Sequence, residues 1–207
     1  MGISGFFKNV IGFMVGGSAT PVSADNPLPT ASTSSTPAGE NHLGAVSGHV
    51  ERVSAELTRP ADTSAYAALD CINNATSGQT LPTITNVARV NGGAGYIIYA
   101  RLTTDNKNNT ARHKVHLYNQ TVTAVADNAP FPMLYVNKLK KVGEITFDAM
   151  STEGSTSDCA VAARSDVFIP FKCDTGLTTL YWMLETLDSR TQVASENFSL
   201  VIGVDQQ

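Results

Sequence analysis

The sequence predicts an all-β protein: a single jelly-roll-like β-sandwich with an extended N-terminal arm that contains a short helix. Three observations point there. From residue 47 onward hydrophobic residues recur at every second position, the period of a half-buried strand. The alternating runs are short and separated by clusters of Gly, Asn, Asp and Pro, which favour turns. The chain also changes character near residue 45, dividing an anchoring arm, residues 1–45, from a sandwich domain, residues 46–207. With 207 residues in all, one domain plus an appendage is the fitting organisation.

The arm opens with a compact apolar set, Ile3, Phe6, Phe7, Val10, Ile11, Phe13, Met14 and Val15. Phe6, Val10, Phe13 and Met14 fall at helical spacing, so a short amphipathic helix is expected. Gly2, Gly5, Gly12 and Gly16 weaken it, each by about 1 kcal/mol against Ala. The set is too short for a membrane span of about 20 apolar residues, and Lys8 and Asn9 interrupt it. A signal peptide carries its positive charge ahead of the apolar core, whereas Lys8 lies inside it, although Val22-Ser23-Ala24 imitates a cleavage site. Residues 17–39 follow as a Ser/Thr/Pro tract with almost no charge. Such a tract buries too little apolar area to offset its ordering entropy and is expected to be an extended linker. The apolar set therefore reads as a partner anchor. Six or seven side chains at about 1.5–3 kcal/mol each give roughly 10–20 kcal/mol gross, reduced by the cost of association.

The body reads as a succession of strands. Residues 49–58 alternate through Val53, Ala55 and Leu57; residues 95–103 (GYIIYARLT) place Tyr96, Ile98, Ala100 and Leu102 on one face. Val115 and Leu117, then residues 142–147 and 166–173 (DVFIPFKC), continue the pattern. Residues 180–187 (LYWMLETL) suit a buried strand, with Thr178, Thr179 and Tyr181 favouring strand over helix. Phe198, Leu200 and Ile202 close the series on one side of a last strand. The joints are Asn91-Gly92-Gly93, residues 105–109, Ala129-Pro130-Phe131-Pro132, Glu153-Gly154-Ser155 and Asp174-Thr175-Gly176. Seven or eight short strands without an intervening amphipathic helix indicate a sandwich or jelly roll.

Composition narrows the function. Charged residues make up 15% and the formal net charge is −4; the densest basic group is only Lys138, Lys140 and Lys141. A nucleic-acid binder carries a basic stripe set among aromatics, so direct nucleic-acid binding is not expected. Cys71, Cys159 and Cys173 are too few for a disulfide framework and read as buried or half-buried thiols, with a Cys159–Cys173 bridge left open.

No enzymatic constellation emerges. His113 and His116 flank a strand position, where i and i+3 face opposite ways, and read as exposed histidines. His42 and His49 have no cysteine or carboxylate at ligand spacing. The glycines of residues 91–95 lack the Lys-Ser/Thr of a phosphate cradle. No Gly-x-Ser-x-Gly elbow is present, and the acidic residues are dispersed. Catalysis, cofactor and metal are therefore not expected.

Several stretches carry a resemblance. Residues 22–29 (VSADNPLP) resemble a connector frequent in tailed-bacteriophage virion proteins. Residues 59–68 (RPADTSAYAA) look like the opening of a β-sandwich family found among phage structural proteins. That family continues Gly-Asp-Val where this chain has Leu69-Asp70-Cys71, so the turn there is expected to differ. Residues 115–119 (VHLYN), residues 126–131 (ADNAPF), Tyr135 and residues 142–145 (VGEI) are similar to the family's middle. Leu180-Tyr181, Glu196-Asn197-Phe198 and Val204-Asp205-Gln206 are similar to its end.

The resemblance implies a jelly-roll-like fold without catalytic residues and a role as a capsid decoration or cement protein. The expected location is the capsid surface of a virion, after synthesis in the host cytoplasm. The implied partners are major capsid protein subunits and further copies of the chain as a dimer or trimer, with neither membrane nor direct nucleic-acid contact. Phe6, Phe7, Val10, Ile11, Phe13 and Met14 would then be the capsid-binding residues. Two other roles suit the same body: a head-fibre, tail or portal-adaptor component, and a carbohydrate-binding module stacking sugars on Tyr96, Tyr99, Tyr118 and Trp182.

Overall fold

The computed structural model describes the backbone of residues 12–15 and 18–21 and the whole of residues 49–207. Met1–Val46 and Ser47–Gln207 are two separate units. In the first, β1 (Gly12–Val15) and β2 (Ser18–Pro21) pair antiparallel, from Gly12↔Pro21 to Val15↔Ser18. The expected helix is therefore corrected from Gly12 onward. A strand here avoids the helical penalty of Gly12, and Val15↔Ser18 is the last pair of the register. The remainder of that helix, with Phe6, Phe7, Val10 and Ile11, lies outside the described residues.

The body consists of β3 (His49–Thr58), β4 (Asp70–Ile72), β5 (Thr83–Ile84), β6 (Ala94–Thr104), β7 (His113–Tyr118), β8 (Ala129–Pro130), β9 (Lys141–Phe147), β10 (Ala160–Arg164), β11 (Ile169–Lys172), β12 (Leu180–Thr186) and β13 (Asn197–Gln206). A single turn of 3-10 helix, Tyr135–Asn137, interrupts the β7–β9 connection. No helix among the described residues is long and apolar enough to span a membrane.

All pairings are antiparallel. One sheet runs β3–β13–β6, with β10 and β11 end to end along the far edge of β6. The other runs β9–β7–β12, with β4 and β5 end to end along β12 and β8 beyond β4. Successive strands cross between the sheets: β3 in the first, β4 and β5 in the second, β6 in the first, then β7 to β9, β10 and β11, β12 and β13 in alternation. Two interleaved Greek keys of this kind make a jelly roll, as expected from the sequence.

The core lies between the sheets. Val53, Ala55 and Leu57 from β3 meet Phe198, Leu200, Ile202 and Val204 from β13, all buried in one cluster with Val115, Leu117, Trp182, Leu184 and Phe147 of the opposite sheet. These are the odd positions of β3 and the even ones of β13, so the period read from the sequence is the period of burial. On β6 it is not. Gly203 pairs with Tyr99 but Val204 with Ile97, which leaves Ile98 as an extra residue. This bulge shifts the alternation by one: Ile97, Ala100 and Leu102 are fully buried, while Tyr96 and Ile98 are not.

Gly95 sits where β13 and Phe171 close in. A Cβ there would lie 2.5 Å from the Asp205 carbonyl oxygen and 3.0 Å from the Phe171 ring. Two further joints differ from expectation. Ala129–Pro130 is not a turn but a short edge strand, pairing Asp70↔Pro130 and Cys71↔Ala129; proline is tolerated at such an edge. The strand expected over 166–173 is shorter, starting at Ile169, and Phe168 stands outside it, exposed. All three cysteines are free thiols, Cys71 and Cys173 buried and Cys159 half-buried.

β12 and β7 are buried on both faces. The outer face of their sheet carries Tyr118 and Met183, covered by Val122, Val125 and Phe131 from the β7–β9 connection. A strand enclosed on both sides needs no alternation, which accounts for the apolar run Leu180–Leu184.

Candidate functional site

Three segments far apart in sequence meet at one place. Arg59 and Tyr66 follow β3, Asp127 lies in the β7–β9 connection, and Glu196 precedes β13; all four are buried. Arg59 donates through Nε to the Tyr66 hydroxyl, through Nη2 to Asp127 Oδ2 at 2.9 Å and through Nη1 to the Val193 carbonyl at 2.9 Å. Tyr66 in turn donates to Asp127 Oδ1 at 2.5 Å, and the Asn73 backbone N–H reaches the same oxygen at 2.9 Å. The guanidinium also lies 4.9 Å from the Tyr66 ring centroid.

Arg190 lies 5.7 Å from the Tyr66 centroid and pairs with Glu196 through both terminal nitrogens. Glu196 Oε1 further accepts from Thr104 at 2.8 Å and Asn109 at 3.1 Å. Each carboxylate thus has several donors, which a buried charge requires.

The electrostatics are those of a strut. Burial, then the hydrogen bond to Asp127, hold the Tyr66 phenol far above its ordinary range. Burial works against the charge on Arg59, but Tyr66 and Asp127 outweigh it and raise its pKa further. Neither group can exchange a proton near neutral pH. Nearby, burial and then the charges of Asp127, Glu185 and Asp70 push the Cys71 thiol up to about 12, which suppresses the reactive thiolate. The arrangement can tie four segments together; it presents no nucleophile and no poised base.

His113 and His116 require correction: both are buried, not exposed. His113 points between the sheets, its ring 5.6 Å from Phe198. His116 faces the other way, as strand geometry demands, but the β7–β9 connection covers it. Its ring stacks on Phe131 at 3.9 Å and 8°, and Nε2 lies 2.9 Å from Glu185 Oε2. Opposite facing was legible from the spacing; the roof over the outer face was not. No group of three or more His, Cys, Asp or Glu among the described residues could hold a metal ion.

The aromatics named for sugar stacking separate. Trp182 and Tyr118 are fully buried. Tyr96 is half-buried, with its ring stacked on Phe168 at 4.6 Å.

A surface that the sequence reading passed over is the tip of the β7–β9 connection. Met133, Leu134, Tyr135, Val136 and Leu139 are all exposed, Tyr135 by 80%, Val136 by 75% and Leu139 by 85%. Lys138 lies over the Tyr135 ring, 3.4 Å from its centroid, and Lys140 is tethered to the Thr121 carbonyl at 2.8 Å. Clustered exposed apolar residues rimmed by polar ones mark interaction sites. The signal in the sequence is the non-alternating run Met133-Leu134-Tyr135-Val136 beside the lysines, directly after the expected turn at residues 129–132. Of the expected capsid-binding residues, Phe13 and Met14 fall on β1, and the other four lie outside the described residues. No family model and no curated protein sequence matches the chain.

Proposed function

We propose that this chain is a non-enzymatic virion structural protein that binds and stabilises a phage capsid shell, a decoration or cement protein. The observation that carries the reading is the exposed apolar tip of the β7–β9 connection on a jelly-roll body. A loop that exposes Tyr135, Val136 and Leu139 together is costly in water unless a partner covers it. The buried polar cluster supports the same reading from the other direction, because the residues with the richest chemistry are spent on holding loops together. The arm adds a second, separately organised unit with a dense apolar set in its first fifteen residues. Two linked contacts to one shell reinforce each other through effective concentration.

The test is co-sedimentation with capsid shells of the source virus. The full chain pellets with shells, whereas a chain lacking residues 1–40, or one carrying Tyr135→Ser and Leu139→Ser, is retained markedly less. Undiminished pelleting of both variants overturns the reading. The copy number in purified particles, measured by quantitative mass spectrometry, separates a cement protein in hundreds of copies from a head-fibre, tail or portal-adaptor part in a dozen or fewer.

A further inference from the structure

β3 is an edge strand of ten residues without proline, glycine or bulge, and its register with β13 is unbroken from His49↔Gln206 to Thr58↔Asn197. Among the described residues no strand pairs with its other side. The parity of its hydrogen bonds follows from its end: Arg59 N donates to the Glu196 carbonyl at 3.0 Å, one step beyond Thr58↔Asn197. In an antiparallel ladder the bonded pairs alternate. Odd residues of β3 therefore bond to β13, and Val50, Arg52, Ser54, Glu56 and Thr58 turn their N–H and C=O groups to the free side. None of these five has a backbone bond to any other described segment outside the strand ladders, and all five are exposed. Among the described residues that side is lined by grooves: Arg52 and Ser54 share one with Thr85 and Asn86, and Glu56 and Thr58 share a second with Asn74 and Thr80.

Such an edge is a template for strand addition. We infer that its occupant is the β3 of a second copy of this chain, paired antiparallel about a two-fold axis at Ser54. The charges select this register. With the axis at Ser54, Arg52 of each copy stands opposite Glu56 of the other, and Val50 opposite Thr58. Moving the axis to Arg52 sets arginine against arginine; moving it to Glu56 sets glutamate against glutamate, and like charges directly opposite destabilise a sheet. The same register places Val53 opposite Ala55 on the inner face, so the two cores become continuous. The interface is isologous, each copy giving and receiving the same contacts. It is a property of the body alone and does not rest on the virion reading.

The experiment is sedimentation velocity on the full chain across micromolar concentrations. The native chain sediments as a dimer, and Arg52→Glu or Glu56→Arg alone weakens it by about tenfold or more. The double exchange restores it. Ser54→Pro removes an N–H that no described residue accepts and abolishes the dimer, with proline tolerated at an edge strand. Ser54→Cys, at the axis, cross-links two copies on mild oxidation because facing Cα atoms of a bonded pair lie about 5.5 Å apart, whereas Thr58→Cys does not. A native chain that is monomeric throughout, a dimer that survives Ser54→Pro, or a double exchange that fails to restore association overturns the proposal. Association that depends instead on Tyr135 and Leu139 does so as well.

Discussion

At the scale of single residues, His113 makes the fold sensitive to acid. Burial, then the positive charge of Arg190, push its pKa down to about 3 from an ordinary 6.5, against smaller opposing pulls from the Ala111 backbone and then Asp188. The folded state thus holds the ring neutral where the unfolded chain would protonate it. Its contribution is complete above pH 6.5 and is lost as the pH falls from there toward 3, at about 1.4 kcal/mol per pH unit. Urea denaturation at pH 7 and pH 5 should therefore show His113→Leu losing about 2 kcal/mol less stability than the native chain. Equal losses in the two proteins would remove His113 from the account. Leu69 supplies the opposite case. Its φ of +71° is a left-handed conformation, held because its N–H donates to Thr186 and its carbonyl accepts from Phe131. The backbone thus adopts here the conformation that glycine favours, with leucine in it. That geometry costs an L-residue about 1–2 kcal/mol, and the side chain is 54% exposed, so little packing is at stake. Leu69→Gly should raise stability by about 0.5 kcal/mol or more after the extra chain entropy of glycine is subtracted, measured as a higher urea midpoint.

At the scale of elements, the strands were legible where one face is buried and the pairing is regular. β3 and β13 alternate in burial as they alternate in sequence, because nothing interrupts their shared register. β6 defeats the same reading through one extra residue at Ile98, a feature set by its partner β13 and invisible in its own sequence. The roof over β7 and β12 was equally hidden, since it depends on where residues 119–140 travel; hence the misplaced exposure of His116. The polar strut was half-legible. Its members sit in the stretches singled out for their resemblance, but only the jelly-roll crossovers bring Arg59, Asp127 and Glu196 together. Arg59 and Asp127 are both wholly enclosed at their side chains. Arg59→Met leaves that carboxylate buried beside an uncharged neighbour and should cost about 3–5 kcal/mol in chemical denaturation. A loss under 1 kcal/mol would show that water or another donor reaches Asp127.

At the scale of the whole molecule, the β7–β9 connection faces two ways. Its inward residues, Val122, Val125 and Phe131, lie on the outer surface of the second sheet; its outward ones, Tyr135, Val136 and Leu139, meet solvent. The same stretch of backbone is thus ceiling to one layer and handle to whatever seizes it. Clamping the handle stiffens the ceiling, and amide hydrogens of β7 and β12 beneath it should exchange with deuterium more slowly, although no ligand touches those strands. Engagement at the rim would be audible in the middle of the sandwich.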